Sequence, residues 1–157
     1  MRFFNTAGPV NGQIHYCLPP LSRLNMEEIF SLIAQEKYFV LHAPRQVGKT
    51  SCLLALMKHL NEAGEFRTLY ANLENAQVAR GDYETGMRMV VQMLARNARD
   101  FLGDEAAGPL ASRVLADSEP GVAVEEYLSC WCRDAGRPTV LFLDEVDALV
   151  GDTLISL

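Results

Sequence analysis

Gly48, Lys49 and Thr50 stand in the middle of "FVLHAPRQVGKTSCLLAL", residues 39–56, where an apolar run turns into a leucine-rich stretch. A loop between a strand and a helix start turns its backbone N–H groups inward. Helped by the helix dipole, it forms a nest for an anion. Residues 43–50, "APRQVGKT", fit the phosphate-binding pattern G-x-x-x-x-G-K-[ST] at every fixed place but the first, where Ala43 replaces glycine. Each residue type has a task. Gly48 lets the backbone come close to phosphates without a Cβ, Lys49 carries positive charge to the β- and γ-phosphates, and the Thr50 hydroxyl coordinates Mg²⁺. Pro44, Arg45, Gln46 and Val47 complete the loop, and Ser51 follows in the first helical turn, so Ala43 to Ser51 form the candidate ATP-binding set. The plainer alternative is a strand, a turn and a helix with an exposed lysine.

A second group lies far along the chain. "VLFLDE", residues 140–145, puts Asp144 and Glu145 after four apolar residues, at the C-terminal end of a strand. Ligands of open parallel sheets bind at that end of the strands. Asp144 would orient Mg²⁺ opposite Thr50, and Glu145 would accept a proton from the water that attacks the γ-phosphate. Taken alone, the two carboxylates read equally as helix caps or loop residues. Asp147 reads as a surface carboxylate.

The elements that must position these groups follow from periodicity. "NMEEIFSLIAQEK", residues 25–37, is expected to be a helix, with Asn25 as cap, Glu28 at the capping-box position and Leu24 stapled to Ile29. "YFVLHA", residues 38–43, reads as a fully buried strand, because it is short, apolar, aromatic and β-branched. From Lys49 to about Ala63, Leu53, Leu56, Met57 and Leu60 give a helical face that Gly64 stops. "FRTLYANL", residues 66–73, is a second strand. Tyr83, Met87, Val90, Val91, Leu94, Ala98 and Phe101 then trace one face of a long helix. Its opposite face carries Arg88, Arg96 and Arg99, read as a solvated stripe, with a partner or nucleic-acid contact as the other reading. "GDEAAGPLASRVLADSEPG" reads as a helix-poor connector with one short helix after Pro109. Pro120 opens a further helix, striped by Val124, Tyr127, Leu128 and Trp131 and ended by Gly136. "TVLFLDE", residues 139–145, is the third strand. Strands alternating with helices imply a parallel sheet covered on both faces.

The bulk numbers narrow the class. With 157 residues, 49% of them hydrophobic, the chain can bury a real core. Its net charge of −6 argues against general attraction to nucleic acid or anionic lipid, though a local basic face keeps nucleic acid open. No apolar run is long enough to span a bilayer. "MRFFNTAGPV" has no secretory core, so the expected location is cytoplasmic. Cys130 and Cys132 lack the partners of a zinc site and read as buried or half-buried free thiols on a helix.

Together, "HAPRQVGKTSCLLAL" and "LFLDEVDAL" resemble the AAA-like ATPases of the additional-strand P-loop class, in particular the bacterial and archaeal ATPases and signalling NTPases whose loop reads G-P-R-Q-x-G-K-T. The resemblance covers roughly residues 14–157. It implies a three-layer α/β P-loop NTPase, with a parallel sheet and helices on both faces. An arm of residues 1–24 would precede a core of residues 25–157. It also implies ATP held by Gly48, Lys49 and Thr50, Mg²⁺ held by Thr50 and Asp144, and Glu145 as the catalytic carboxylate, with hydrolysis coupled to conformational change. "HYCLPPLSRL" would pack near the adenine. The class has further strands, a sensor, a lid and often an arginine finger, so the chain reads as C-terminally truncated, with a protein partner or self-association through the missing region. A nucleotide-operated switch with little turnover would share these motifs. A P-loop kinase would usually lack a glutamate after the magnesium aspartate.

Overall fold

The computed structural model describes residues 3–5, 11–42, 44, 47–79 and 82–148. The chain divides into two compact units, Met1–His59 and Leu60–Leu157, and the division falls inside a helix.

In the first unit a short 3-10 turn, Pro20–Arg23, precedes α1, Met26–Ala34. The α1 cap is the expected one: Asn25 Oδ1 accepts from the Glu28 N–H at 3.4 Å, and the Asn25 amide donates to Glu28 Oε2 at 3.1 Å. The helix stops earlier than its apolar period suggests. Glu36 takes a left-handed φ of +53°, its N–H donates to the Ile33 carbonyl at 2.9 Å, and Lys37 N–H reaches the Leu32 carbonyl at 3.0 Å. That bond pair is a Schellman ending, with glutamate at the place where glycine is usual. Helix α2, Lys49–Ala63, crosses into the second unit, and Leu53, Leu56, Met57 and Leu60 are buried along it as the spacing predicts.

The largest correction concerns "YFVLHA". Residues 38–42 form no strand, and Tyr38 and Val40 stand 105% and 87% exposed; Ala43 lies outside the described residues. An apolar run becomes a buried strand only when another strand supplies its ladder. Among the described residues none pairs with this one. The sheet there has two strands, against five α-helices. The expected three-layer P-loop NTPase fold, with its multi-stranded parallel sheet, is therefore not found.

The second unit holds the sheet: β1, Arg67–Asn72, pairs in parallel with β2, Thr139–Asp144, in a register from Arg67↔Thr139 to Asn72↔Asp144. Three helices lie between them in sequence, α3 (Tyr83–Leu102), α4 (Ala107–Asp117) and α5 (Ala123–Arg133). The outer edge of β1 is closed by side chains. Asn61 pairs with both backbone groups of Thr68, at 2.9 and 2.8 Å, and the Asn97 amide donates to the Tyr70 carbonyl at 2.9 Å. Two asparagines thus stand where a neighbouring strand would bond.

Helix α3 is capped by Asp82, which accepts from the Thr85 N–H at 3.0 Å, and ended by Gly103 at φ +67°. Its face Met87, Val90, Val91 and Leu94 is at most 1% exposed; each such side chain contributes about 1.5–3 kcal/mol on burial. Phe101, expected on that face, is 46% exposed. The supposed connector contains α4, eleven residues long. Gly108 and Pro109 fall in its first turn, where the missing proline N–H costs no ladder bond. Helix α5 begins at Ala123, not Pro120, because residues 119–123 form a turn in which Val122 N–H donates to the Glu119 carbonyl at 3.1 Å.

Tyr127 is fully buried on α5, and its hydroxyl has no hydrogen-bond partner among the described residues. Burial pushes its ionisation well above the ordinary phenol range. An unsatisfied buried hydroxyl is costly, so Tyr127→Phe is expected to stabilise the protein by up to about 1 kcal/mol. A lower midpoint in urea for the variant would show that the hydroxyl is satisfied after all.

Candidate functional site

Gly48 has φ +82°, a backbone that a side chain rarely adopts, and its carbonyl accepts the first bond of α2, from Cys52 N–H at 3.0 Å. It therefore serves as the N-cap of a fifteen-residue helix. The first N–H groups of a helix point along its axis and away from its ladder, and in α2 they belong to Lys49, Thr50 and Ser51. The first turn holds no acidic residue. Lys49 at this position opposes the helix dipole, an arrangement that favours an anion placed before it. Lys49 and Ser51 are half-buried; Thr50 and Pro44 are exposed, and Val47 is half-buried. Ala43, Arg45 and Gln46 lie outside the described residues.

One residue escaped the sequence reading. An added Cβ on Gly48 would meet Arg23 Nη1 at 3.2 Å, so a guanidinium lies against the loop. Its placement is built locally. Ser22 N–H and hydroxyl both donate to the Pro19 carbonyl, at 3.1 and 2.7 Å, and tighten the turn. The Cys52 thiol then ties that turn to α2 through the Pro20 carbonyl at 3.4 Å. Arg23 makes no ion pair among the described residues. Among the described residues the loop thus has two cationic side chains, Lys49 and Arg23, beside a helix N-terminus. The only signal for this in the sequence is the Pro-Pro pair that stiffens the turn.

In the second unit, Asp144 ends β2 and is 7% exposed. Tyr70, on the neighbouring strand, donates its hydroxyl to Oδ2 at 3.0 Å, and Glu145 N–H donates to Oδ1 at 3.1 Å. Tyr70 is a positioning residue that the motif reading missed, because only the β1–β2 register brings it there. Glu145 follows with φ +54°, a strained conformation for a non-glycine residue, and its side chain is exposed. Leu143, the last of the four apolar residues before Asp144, is 37% exposed. Asp147 is exposed, as a surface carboxylate should be.

The residues assemble in two groups: Arg23, Gly48, Lys49, Thr50 and Ser51 in the first unit, Tyr70, Asp144 and Glu145 in the second. Among the described residues no three His, Cys, Asp or Glu side chains are grouped to hold a metal, and all four cysteines are free. A Mg²⁺ bound with a nucleotide does not need such a cage, since one carboxylate, a hydroxyl, phosphate oxygens and water complete its octahedron. Asp144 is a carboxylate, the donor type that set asks for. No helix among the described residues is long and apolar enough to cross a membrane. No protein-family model, curated protein or solved structure matches the chain.

Proposed function

We propose that the chain is an ATP-binding module of AAA-like type, with Mg²⁺-dependent hydrolysis coupled to conformational change and relayed to a protein partner. The observation that carries this reading is Gly48 at φ +82°, opening α2 directly before Lys49 and Thr50. The reading rests on that loop and on the strand end at Asp144, and takes nothing from the multi-stranded architecture corrected above. In it, Lys49 and Arg23 balance phosphate charge, the helix N-terminus receives a phosphate oxygen, and Thr50 and Asp144 hold Mg²⁺. The ion would supply charge neutralisation on the β- and γ-phosphates. Glu145 accepts the proton of the attacking water, and its strained backbone is the kind found where a side chain must be aimed. A cytoplasmic location suits a module that draws on ATP.

The test is calorimetry with a non-hydrolysable ATP analogue, with and without Mg²⁺. Binding is expected to require Mg²⁺ and to lose that requirement in Asp144→Asn. Glu145→Gln keeps the shape and removes the proton acceptor, so single turnover is expected to fall about 100-fold or more with binding retained. Equal turnover by this variant and the wild type would remove Glu145 from catalysis. Tight binding without turnover in the wild type would make the chain a nucleotide-operated switch instead.

A further inference from the structure

The protein is acidic overall, with a net charge of −6, yet one groove on the second unit has a basic wall. It lies between α3 and α4, with a volume of about 780 Å³. Arg88, Gln92, Arg96 and Arg99 line it from α3, a spacing that keeps all four on one helical face. From Arg88 to Arg99 the wall runs roughly 16 Å, at about 1.5 Å per residue. Arg99 is engaged by its neighbour Asp100 at 3.0 Å, whereas Arg88 and Arg96 make no ion pair among the described residues. All three arginines are exposed. Between the walls lie Ala95 and Ala111, each 4% exposed, and α4 adds Ser112 and Leu115 opposite the arginines. Glu105 is the acidic side chain in the lining.

We propose that this groove docks an acidic, amphipathic peptide segment of a protein partner. The segment's carboxylates meet Arg88 and Arg96, and its small apolar side chains lie on the Ala95–Ala111 floor. Charge decides the sign of the ligand. Guanidinium groups bind carboxylates in paired hydrogen bonds, and two of these make no ion pair among the described residues. The floor decides the class. The two buried alanines let a peptide backbone come close, and Pro109, Leu115 and Ala116 in the same lining offer it apolar surface. A single-stranded nucleic acid would instead need aromatic platforms for its bases, and no aromatic side chain lines the groove. The net negative charge of the protein also repels a long polyanion at a distance. The groove length suits about three turns of helix or about five residues of strand. No residue of the nucleotide loop lines the groove, so the proposal does not rest on the function proposed above.

The probe is a fluorescein-labelled peptide of about twelve residues repeating Glu-Leu-Ala-Glu, followed by anisotropy at about 50 and about 200 mM salt. Saturable binding is expected, weaker at the higher salt. R88E/R96E should lose about tenfold or more in affinity, while its circular dichroism and melting stay those of the wild type, because both side chains are exposed. A peptide with lysine in place of glutamate should not bind, and an oligothymidine of equal length should bind more weakly than the acidic peptide. The proposal is overturned if the acidic peptide fails to saturate, or binds the double variant as tightly as the wild type. It is equally overturned if the oligothymidine binds more tightly and responds to the same substitutions, which would make the groove a nucleic-acid site.

Discussion

Lys49→Ala is expected to abolish nucleotide binding while changing the stability of the nucleotide-free protein by less than about 1 kcal/mol. The two effects separate because Lys49 occupies the first position of α2 and is only half-buried, one turn before Leu53 opens the buried stripe that Leu56 and Leu60 continue. A cation there is unfavourable to the helix by about 0.3–1 kcal/mol, and alanine is the better helix former, so the fold is spared. A phosphate loses a charge-assisted contact worth about 1.5–3 kcal/mol, and with it the charge balance of the site, so affinity is expected to fall by about 100-fold or more. Arg23→Ala should cost less, about tenfold, because its guanidinium lies beside Gly48 on an exposed turn while the helix N-terminus and Lys49 remain. Calorimetry with the ATP analogue and thermal melting measure both quantities. Binding at full strength by Lys49→Ala would end the nucleotide reading. A fall in melting temperature of ten degrees or so would assign Lys49 a structural task instead.

What the sequence made legible was what local chemistry decides. The face of α3 could be read because Met87, Val90, Val91 and Leu94 repeat with the helical period and need no knowledge of what covers them. The cap at Asn25 is a contact between residues three apart, so it too is local. "YFVLHA" failed for the opposite reason. An apolar run states a capacity for burial, but pairing depends on a ladder from distant residues, and Tyr38 and Val40 have none. Helix α4 reads from the sequence as one short helix after Pro109, and it begins earlier, at Ala107, because in a first turn proline breaks nothing. In the candidate site, Gly48, Lys49, Asp144 and Glu145 came from spacing. Arg23 and Tyr70 did not, since one depends on the Cys52–Pro20 tether and the other on strand register. Both asparagines that close the β1 edge were equally silent, because an amide beside a strand has no periodic signature.

The second large effect belongs to the fold: Asp104→Ala is expected to lower stability by about 2–3 kcal/mol at neutral pH. Asp104 joins three elements just before α4. Its carboxylate accepts from Trp131 Nε1 on α5 at 2.8 Å, from the Arg67 guanidinium at the start of β1, and from Ala106 N–H at 3.1 Å. The Arg67 guanidinium in turn lies 3.9 Å from the centre of the Trp131 ring and donates to the Trp131 carbonyl at 3.3 Å. Removing the carboxylate leaves a mostly buried guanidinium and an indole N–H without their acceptor, which costs more than a surface ion pair. Burial alone would raise the Asp104 carboxyl, yet the Trp131 N–H, the Arg67 charge and the Ala106 N–H together outweigh it and hold it below the ordinary value. A carboxyl depressed in the folded state adds stability above its unfolded value, about 3.9, and loses it as the pH falls through the depressed one. The gap between wild type and Asp104→Ala in urea denaturation is therefore expected to be widest near neutrality and to narrow below about pH 4. Asp104→Asn keeps an acceptor without the charge, so it should fall between the two at neutral pH and lose that acid dependence. A gap that stays constant or widens on acidification would mean that packing around Trp131, not the charge on Asp104, holds these elements together.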